Sequence, residues 1–300
     1  LVGLAVFAAV RMNQEAESEG PFTTSASETA TGALKADPEL PMLWRVLLVV
    51  SLGTALSSFI YEISWVRMLS LVLGSATHSF ELMLSAFILG LALGAFWVRT
   101  RADHFRDAMR TLAVTQWAMG ALALGTLSAY LASFHWMATL ISGLDQTVEG
   151  YHFFTIAKYG IALAVMLPAT FCAGITLPLI THMLMRAGGG ERAIGAVYSV
   201  NTLGSIIGAA LAALILLPVL GLKSLLIAGG VLDMGIGVWL MMIAGRRNPE
   251  ARRFGSALAG ATVLVVFTIV ANVQLDKTIL VSGVFRYGRV PAPGSRDVVF

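Results

Sequence analysis

The sequence predicts an all-α multi-pass membrane protein, a bundle of about seven transmembrane helices followed by a short β-like C-terminal tail. Three observations predict it. The chain is 57% hydrophobic, with a mean hydropathy of +0.80. Only 12% of its residues are charged, against about 25% in an ordinary soluble domain. Long apolar runs recur along the chain, at lengths that match the hydrocarbon core of a bilayer.

Composition and motifs exclude several classes of protein. The net charge of +3 comes without a basic groove interleaved with aromatic side chains, so we expect no nucleic-acid partner. The single cysteine, Cys172, can form neither an internal disulfide nor a metal site. The chain has no phosphate-binding P-loop and no HExxH, G-x-S-x-G or G-x-G-x-x-G motif. We therefore predict no catalytic residue, metal or cofactor within it.

Changes in composition divide the chain into four segments. Residues 1–10 are apolar but too short to cross a bilayer, and we interpret them as the end of a preceding transmembrane helix. Residues 11–41 are polar and predict a flexible linker between two membrane halves. Residues 42–274 form the predicted transmembrane domain. Residues 275–300 combine β-branched and aromatic residues with a Pro/Gly turn, which predicts the opening of a soluble domain.

The predicted spans are the apolar stretches of the transmembrane domain. They cover residues 43–64, 80–98, 112–134, 156–185, 194–220, 224–244 and 256–273. Span two carries Gly90 and Gly94 at four-residue spacing, and span five carries Gly204 and Gly208 in the same pattern. Because small residues at this spacing let helix backbones approach closely in lipid, we expect these glycines at helix crossings.

Span four contains two prolines, Pro168 and Pro178. Each removes a backbone hydrogen-bond donor, so we expect a helix break, with Thr170, Cys172 and Thr176 in the loosened section between the prolines. Such a section is tolerated where it lines a cavity or faces protein. A binding cavity and plain kinked packing are both open interpretations of it.

Basic residues concentrate in the loops after spans two, four and six. The positive-inside rule places these loops in the cytoplasm, with the protein in the inner (plasma) membrane. If span seven crosses fully, the residues after Gln274 lie on the opposite side. The arginines concerned are Arg99, Arg101, Arg106, Arg110, Arg186, Arg192, Arg246, Arg247, Arg252 and Arg253.

Polar side chains at the end of span one are candidates for function, because they are costly in hydrocarbon unless they pair, reach the interface or line a cavity. Glu62 and Arg67 are five residues apart, which is not the ideal spacing for a helix pair. One interpretation is a gate or proton-coupling pair that faces the bundle interior. The other is an interfacial position, with Tyr61 and Trp65 as an aromatic belt.

Further polar residues lie within the later spans. His78 and Glu81, at the beginning of span two, form either a cation or proton site or a solvated helix start. Asp233, near the middle of span six, must protonate, pair or face water, and functional and structural interpretations of it stand equal. We expect Asn201 in span five to tether helices by a hydrogen bond, and Lys158 to anchor span four at the interface.

Four stretches of the chain match a known pattern in their order and spacing. They are ALSSFIYEISWVRMLSLVLGS, FELMLSAFILGLALG, LPATFCAGITLPL and GAVYSVNTLGSIIGAALAALILLPVLGL, between Ala55 and Leu222. With them the chain resembles the membrane portion of the fused MFS/spermidine synthase-like proteins, bacterial multi-pass proteins joined to an aminopropyltransferase-type domain. The YE-x-x-W-x-R and Y-x-x-N-T-x-G blocks carry the resemblance together, and it continues weakly through residues 282–287.

The resemblance implies an MFS-like bundle that forms the second half of a membrane region, with the lipid bilayer and the other membrane half of the same protein as partners. It also implies polyamine chemistry, in which a domain beyond residue 300 transfers an aminopropyl group from decarboxylated S-adenosylmethionine to putrescine. No residue of that catalytic site carries over to this chain. Whether the parent protein is an active enzyme is therefore open at this point.

We accordingly expect the membrane module of a spermidine synthase-like fusion, which anchors the enzyme and moves a polyamine or a related small cation past Glu62, Glu81 or Asp233. The alternatives are a secondary transporter with a non-catalytic appended domain, and a membrane scaffold. A carboxylate reached by a water-accessible cavity would favour transport. Carboxylates that are fully paired, or that lie at headgroup depth, would favour a scaffold.

Overall fold

The computed structural model describes residues 40–74, 77–105, 107–143, 147–246 and 248–274. Within these residues the chain forms seven α-helices, a short 3-10 turn and two π turns. The expected helix end, linker and β-like tail, and also Arg106 and Arg247, lie wholly or almost wholly outside the described residues. The α-helices are α1 (Leu40–Leu73), α2 (Thr77–Arg101), α3 (Ala108–Gly143), α4 (Val148–Leu184), α5 (Gly190–Ala210), α6 (Leu217–Ala244) and α7 (Pro249–Asn272).

The described chain is an all-α protein whose apolar helices are long enough to cross a membrane, as the composition predicts. The expected count of about seven separate spans is not reproduced, because one of the five apolar stretches comprises 96 residues and includes α4, α5 and α6. Two π turns, Met185–Gly189 and Leu211–Leu216, lie between these three helices. The helical backbone is nevertheless interrupted twice in this stretch, at Ala187 and Gly188 in the first turn and at Gly221 near the start of α6. The five stretches are Met42–Leu73, Thr77–His104, Ala108–Gly143, Glu149–Ala244 and Pro249–Asn272.

The first helix extends beyond the first predicted span. α1 continues to Leu73, so Glu62 and Arg67 lie inside the helix and not at its end. The sequence after Arg67 is apolar and places Met68, Leu69 and Val72 in the core, so burial continues the helix. Gly74 follows the helix with φ +87°, a conformation that glycine adopts readily and that commonly ends helices.

The fourth helix corrects a second expectation. α4 passes through both Pro168 and Pro178 as one helix of 37 residues, so the predicted helix break is absent. Between the prolines, the hydroxyls of Thr170 and Thr176 donate to backbone carbonyls one turn earlier, at 2.9 and 2.8 Å. α4 also packs along α2 and α3, and packing against neighbouring helices lets a membrane helix tolerate proline.

The helices form a bundle in which α6 lies between α1 and α3. α2 packs mainly on α4, and α1 packs on both α5 and α6, while α3 contacts α4 and α6. α7 covers α6 and part of α3. A side chain on the inner face of α6 therefore points between α1 and α3, at the centre of the bundle.

Glycines lie at two of the helix crossings. A Cβ atom at Gly94 of α2 would lie 2.9 Å from the Cα atom of Gly174 in α4, and Gly90 lies one turn earlier against Thr170. A Cβ atom at Gly208 of α5 would lie 2.7 Å from a backbone oxygen of α1, and Gly204 has a similarly close neighbour. At both crossings the helices therefore approach through their backbones.

Candidate functional site

One face of α1 carries polar side chains along much of its apolar length. They follow one another at three- and four-residue spacing, which places them on the same side of a helix. Each is at most 5% exposed. This buried polar face of α1 consists of Ser51, Thr54, Ser57, Tyr61 and Ser64. Its middle section is turned toward α3 and α6, whereas Ser51 donates to the Val197 carbonyl of α5 at 3.3 Å.

Asp233 of α6 is the acceptor at the centre of this face. Its side chain is 0% exposed. Its Oδ1 atom accepts a hydrogen bond from Ser57 Oγ at 2.6 Å, and its Oδ2 atom accepts one from the Tyr61 hydroxyl at 2.6 Å. The Nε2 atom of Gln116 in α3 also donates to Oδ1. One carboxylate thus holds three helices together.

A further hydrogen bond orients these donors. Thr54 Oγ1 donates to Gln116 Oε1 at 3.1 Å, which directs the amide nitrogen of Gln116 toward Asp233. Ser57 Oγ also lies 3.0 Å from the carbonyl oxygen of Thr54. Since a serine hydroxyl has one hydrogen, Ser57 can donate to only one of its two acceptors at a time. We call Thr54, Ser57, Tyr61, Gln116 and Asp233 the Asp233 cluster.

The cluster depends on close approach between helices. A Cβ atom at Gly229 would lie 2.7 Å from the Tyr61 ring, one turn before Asp233 on α6. A Cβ atom at Gly120, one turn after Gln116 on α3, would lie 2.6 Å from the backbone oxygen of Gly230. Without a side chain at these positions, α1 and α3 come near enough for their donors to reach the carboxylate.

The electrostatics of the site come from neutral donors alone. No Lys, Arg or His side chain among the described residues lies within 4.0 Å of the Asp233 carboxylate. An ionised carboxylate offers about four acceptor positions, and hydrogen bonds to an ionised group are about twice as strong as those between neutral groups. The site can therefore stabilise a negative charge or take up a proton. The described residues include no group of three or more His, Cys, Asp or Glu side chains that could hold a metal ion.

Glu62 and Arg67 do not join the Asp233 cluster. Glu62 is half-buried and Arg67 is exposed, and within the described part of the chain no basic side chain lies within 4.0 Å of the Glu62 carboxylate. The aromatic-belt interpretation of their neighbours is wrong, because Tyr61 and Trp65 are only 2% and 1% exposed. Trp65 instead donates through Nε1 to Thr126 Oγ1 of α3 at 2.9 Å.

The beginning of α2 holds an exposed pair and a buried lysine contact. His78 Nδ1 lies 3.5 Å from Glu81 Oε2, and both side chains are about half exposed or more. Lys158 is only 8% exposed, so its side chain packs against protein. Its Nζ atom donates to Ser79 Oγ at 3.1 Å and lies 5.3 Å from the centre of the Phe154 ring.

The section of α4 between the prolines packs against α2. Gly90 meets Thr170 and Gly94 meets Gly174, and Cys172 is buried. These contacts favour tight helix packing over a binding cavity at this point. Asn201, on α5, is half-buried, and its backbone oxygen accepts a hydrogen bond from Ser205 at 2.9 Å.

Of the candidate residues, the structure thus places only Asp233 in a buried multi-helix cluster. Its partners Ser57 and Gln116 were not among the candidates. The signal for Ser57 is the regular spacing of polar residues along span one, whereas Gln116 is the one amide side chain in span three and belongs to no such pattern. The chain matches no family model, no curated protein and no solved structure.

Proposed function

We propose that the chain is the membrane module of a spermidine synthase-like fusion protein, and that it anchors the appended domain in the bilayer. The support is the resemblance carried by the YE-x-x-W-x-R and Y-x-x-N-T-x-G blocks, together with the positions of their residues. Tyr61 bonds to α6 and Trp65 bonds to α3, while Gly204 lies against α1. Three of the residues that carry the resemblance therefore lie at contacts that hold the bundle together.

In this proposal the bundle crosses the membrane seven times. A straight helix of 96 residues would measure about 144 Å at 1.5 Å per residue, whereas the hydrocarbon core is about 30 Å thick. The helical backbone of the stretch Glu149–Ala244 is also interrupted at two glycines, Gly188 with φ +84° between α4 and α5, and Gly221 with φ +74° near the start of α6. We infer that α4, α5 and α6 each cross once, with the arginine-rich ends in the cytoplasm.

The orientation has a direct test in cysteine labelling. In a Cys172→Ala background, Thr77→Cys and Thr100→Cys place exposed thiols near opposite ends of α2. We expect a membrane-impermeant maleimide to label Thr77→Cys in intact cells and Thr100→Cys only after permeabilisation. The reverse pattern would overturn the orientation.

The observation that favours anchoring over transport is the closure of the Asp233 cluster. The carboxylate is 0% exposed and both of its oxygens accept hydrogen bonds from neighbouring helices. A polyamine ammonium group would have to displace at least one of these donors to reach it. In this conformation the carboxylate links three helices by hydrogen bonds and is not accessible to an organic cation.

Transport of a polyamine or a related cation is the second candidate function. One observation favours it: Asp233 lies deep in α6 without a basic partner among the described residues. Intramembrane carboxylates of this kind often mark ion or substrate pathways. A carrier would expose Asp233 in another conformation.

One preparation distinguishes the two functions. The full-length protein is reconstituted in vesicles, and uptake of labelled putrescine is compared for the wild type, Asp233→Asn and Ser64→Ala. The last is the control, because the Ser64 hydroxyl donates to Ile60 O of its own helix. For an anchor we expect uptake no greater than in protein-free vesicles, together with aminopropyl transfer from decarboxylated S-adenosylmethionine to putrescine.

Two other outcomes would change the proposal. If putrescine uptake is lost in Asp233→Asn and kept in Ser64→Ala, transport becomes the better assignment than anchoring. A folded full-length protein without aminopropyl transfer would contradict the synthase-like assignment of the appended domain.

A further inference from the structure

We propose that Asp233 and Ser57 form a proton-binding site, in which one proton from solvent converts the carboxylate to a carboxylic acid and turns the Ser57 hydroxyl from Asp233 to the Thr54 carbonyl. The site is defined by the geometry of the Asp233 cluster. It does not require that the module transports a polyamine.

Ser57 has the geometry of a hydrogen-bond switch. Its Oγ atom lies 2.6 Å from Asp233 Oδ1 and 3.0 Å from Thr54 O. While Asp233 is ionised it can only accept, so Ser57 donates to it. When a proton adds to Oδ1, the new O–H group needs an acceptor, and Ser57 Oγ is in reach. The hydrogen of Ser57 then turns to Thr54 O, and every hydroxyl keeps a partner.

The other two donors are held in place. Tyr61 donates to Oδ2 at 2.6 Å, and its hydroxyl makes no second hydrogen bond within the described residues. The amide of Gln116 is oriented by Thr54 Oγ1, which donates to its oxygen. Uptake of a proton therefore changes one hydrogen bond between α1 and α6 and leaves the other contacts of Asp233 in place.

The charged surroundings favour a proton over a larger cation. From α1 the cluster faces the titratable Tyr61, with the half-buried Glu62 beside it. α3 contributes the neutral Gln116, and its nearest charged residue is Arg110 toward the helix start. α6 has no other charged residue between Lys223 and Arg246, and the part of α7 beyond its first two turns has none. With donors at 2.6 Å from both carboxylate oxygens, the cluster has room for a proton but not for an ammonium group or a hydrated metal ion.

Infrared difference spectroscopy of the full-length protein in vesicles tests the site, because the carboxylic acid C=O stretch reports the protonated form. We expect the wild type to gain this band as the pH falls and Asp233→Asn to lack it. Ser57→Ala removes a hydrogen bond to the ionised carboxylate. We therefore expect the acid band of this variant to appear at about tenfold lower proton concentration than in the wild type. The band position should also change, because the acid O–H loses its acceptor. Ser64→Ala, with its hydroxyl on the same face of α1, should behave as the wild type.

Three results would overturn the proposal. The first is a pH-dependent acid band that persists in Asp233→Asn. The second is a Ser57→Ala titration identical to that of the wild type, a test that stands even if Asp233→Asn does not fold. The third is loss of the band on adding sodium at constant pH, which would make the ligand a metal cation.

Discussion

Replacing Asp233 by leucine is expected to lower the free energy of unfolding by about 3 kcal/mol, because three donors lose their common acceptor. Ser57 can turn to the Thr54 carbonyl, 3.0 Å away, so its loss is small. Tyr61 and Gln116 carry most of the cost, since their donor groups stay buried without this acceptor. Each buried unsatisfied donor costs about 1–3 kcal/mol. Unfolding in mixed micelles by a denaturing detergent, followed by helix circular dichroism, measures the change.

A second substitution separates the hydrogen bond from simple packing. Tyr61→Phe in the Asp233→Leu background removes the stranded hydroxyl, and we expect it to recover about 1 kcal/mol, since removing both partners costs less than removing one. Ser64 is a buried serine of α1 whose hydroxyl donates within its own helix. Ser64→Ala should therefore lower the free energy of unfolding by about 1 kcal/mol or less. A double variant no more stable than Asp233→Leu would show that the Tyr61 contact contributes nothing of its own.

The architectural class could be predicted from sequence because it depends on local quantities. The length of an apolar run and its density of charged residues indicate whether a helix can cross a bilayer, and neither depends on the neighbouring helices. Asp233 could also be singled out, since a lone carboxylate in an apolar run is costly unless it is protonated, hydrogen-bonded or in contact with water. The hydrogen-bond partners of Asp233 could not be predicted, because Ser57, Tyr61 and Gln116 come from two other helices.

The errors in the sequence prediction have local causes. A span four that begins at residue 156 predicts Lys158 in the first turn of the helix. α4 begins at Val148 instead, so two added turns carry the lysine into the bundle. The prolines of α4 are predicted to break it, yet α4 continues through both where it packs against α2 and α3. Both cases show tertiary burial overriding a rule that treats each helix alone.

Leucine at Gly94 is expected to have the largest effect of any single substitution considered, loss of the folded bundle or a destabilisation of more than about 4 kcal/mol. α2 and α4 share the most extensive helix contact in the described bundle. At Gly94 a Cβ atom would lie 2.9 Å from the Cα atom of Gly174, so the neighbour is backbone and cannot move aside as a flexible side chain would. Adding a side chain must therefore separate the two helices along the crossing.

The matched control is Gly125→Leu in α3, where a Cβ atom would meet nothing within 4 Å. Both substitutions replace a glycine inside a helix, so both gain the same helix propensity, about 1 kcal/mol or less. Gly125→Leu should therefore leave the detergent unfolding transition unchanged or raise it slightly, while Gly94→Leu lowers or removes it. Equal behaviour of the two variants would mean that the α2–α4 contact is not a backbone crossing. Since the buried section of α4 between its prolines packs on this crossing, that result would also reopen the cavity interpretation of Thr170 and Cys172.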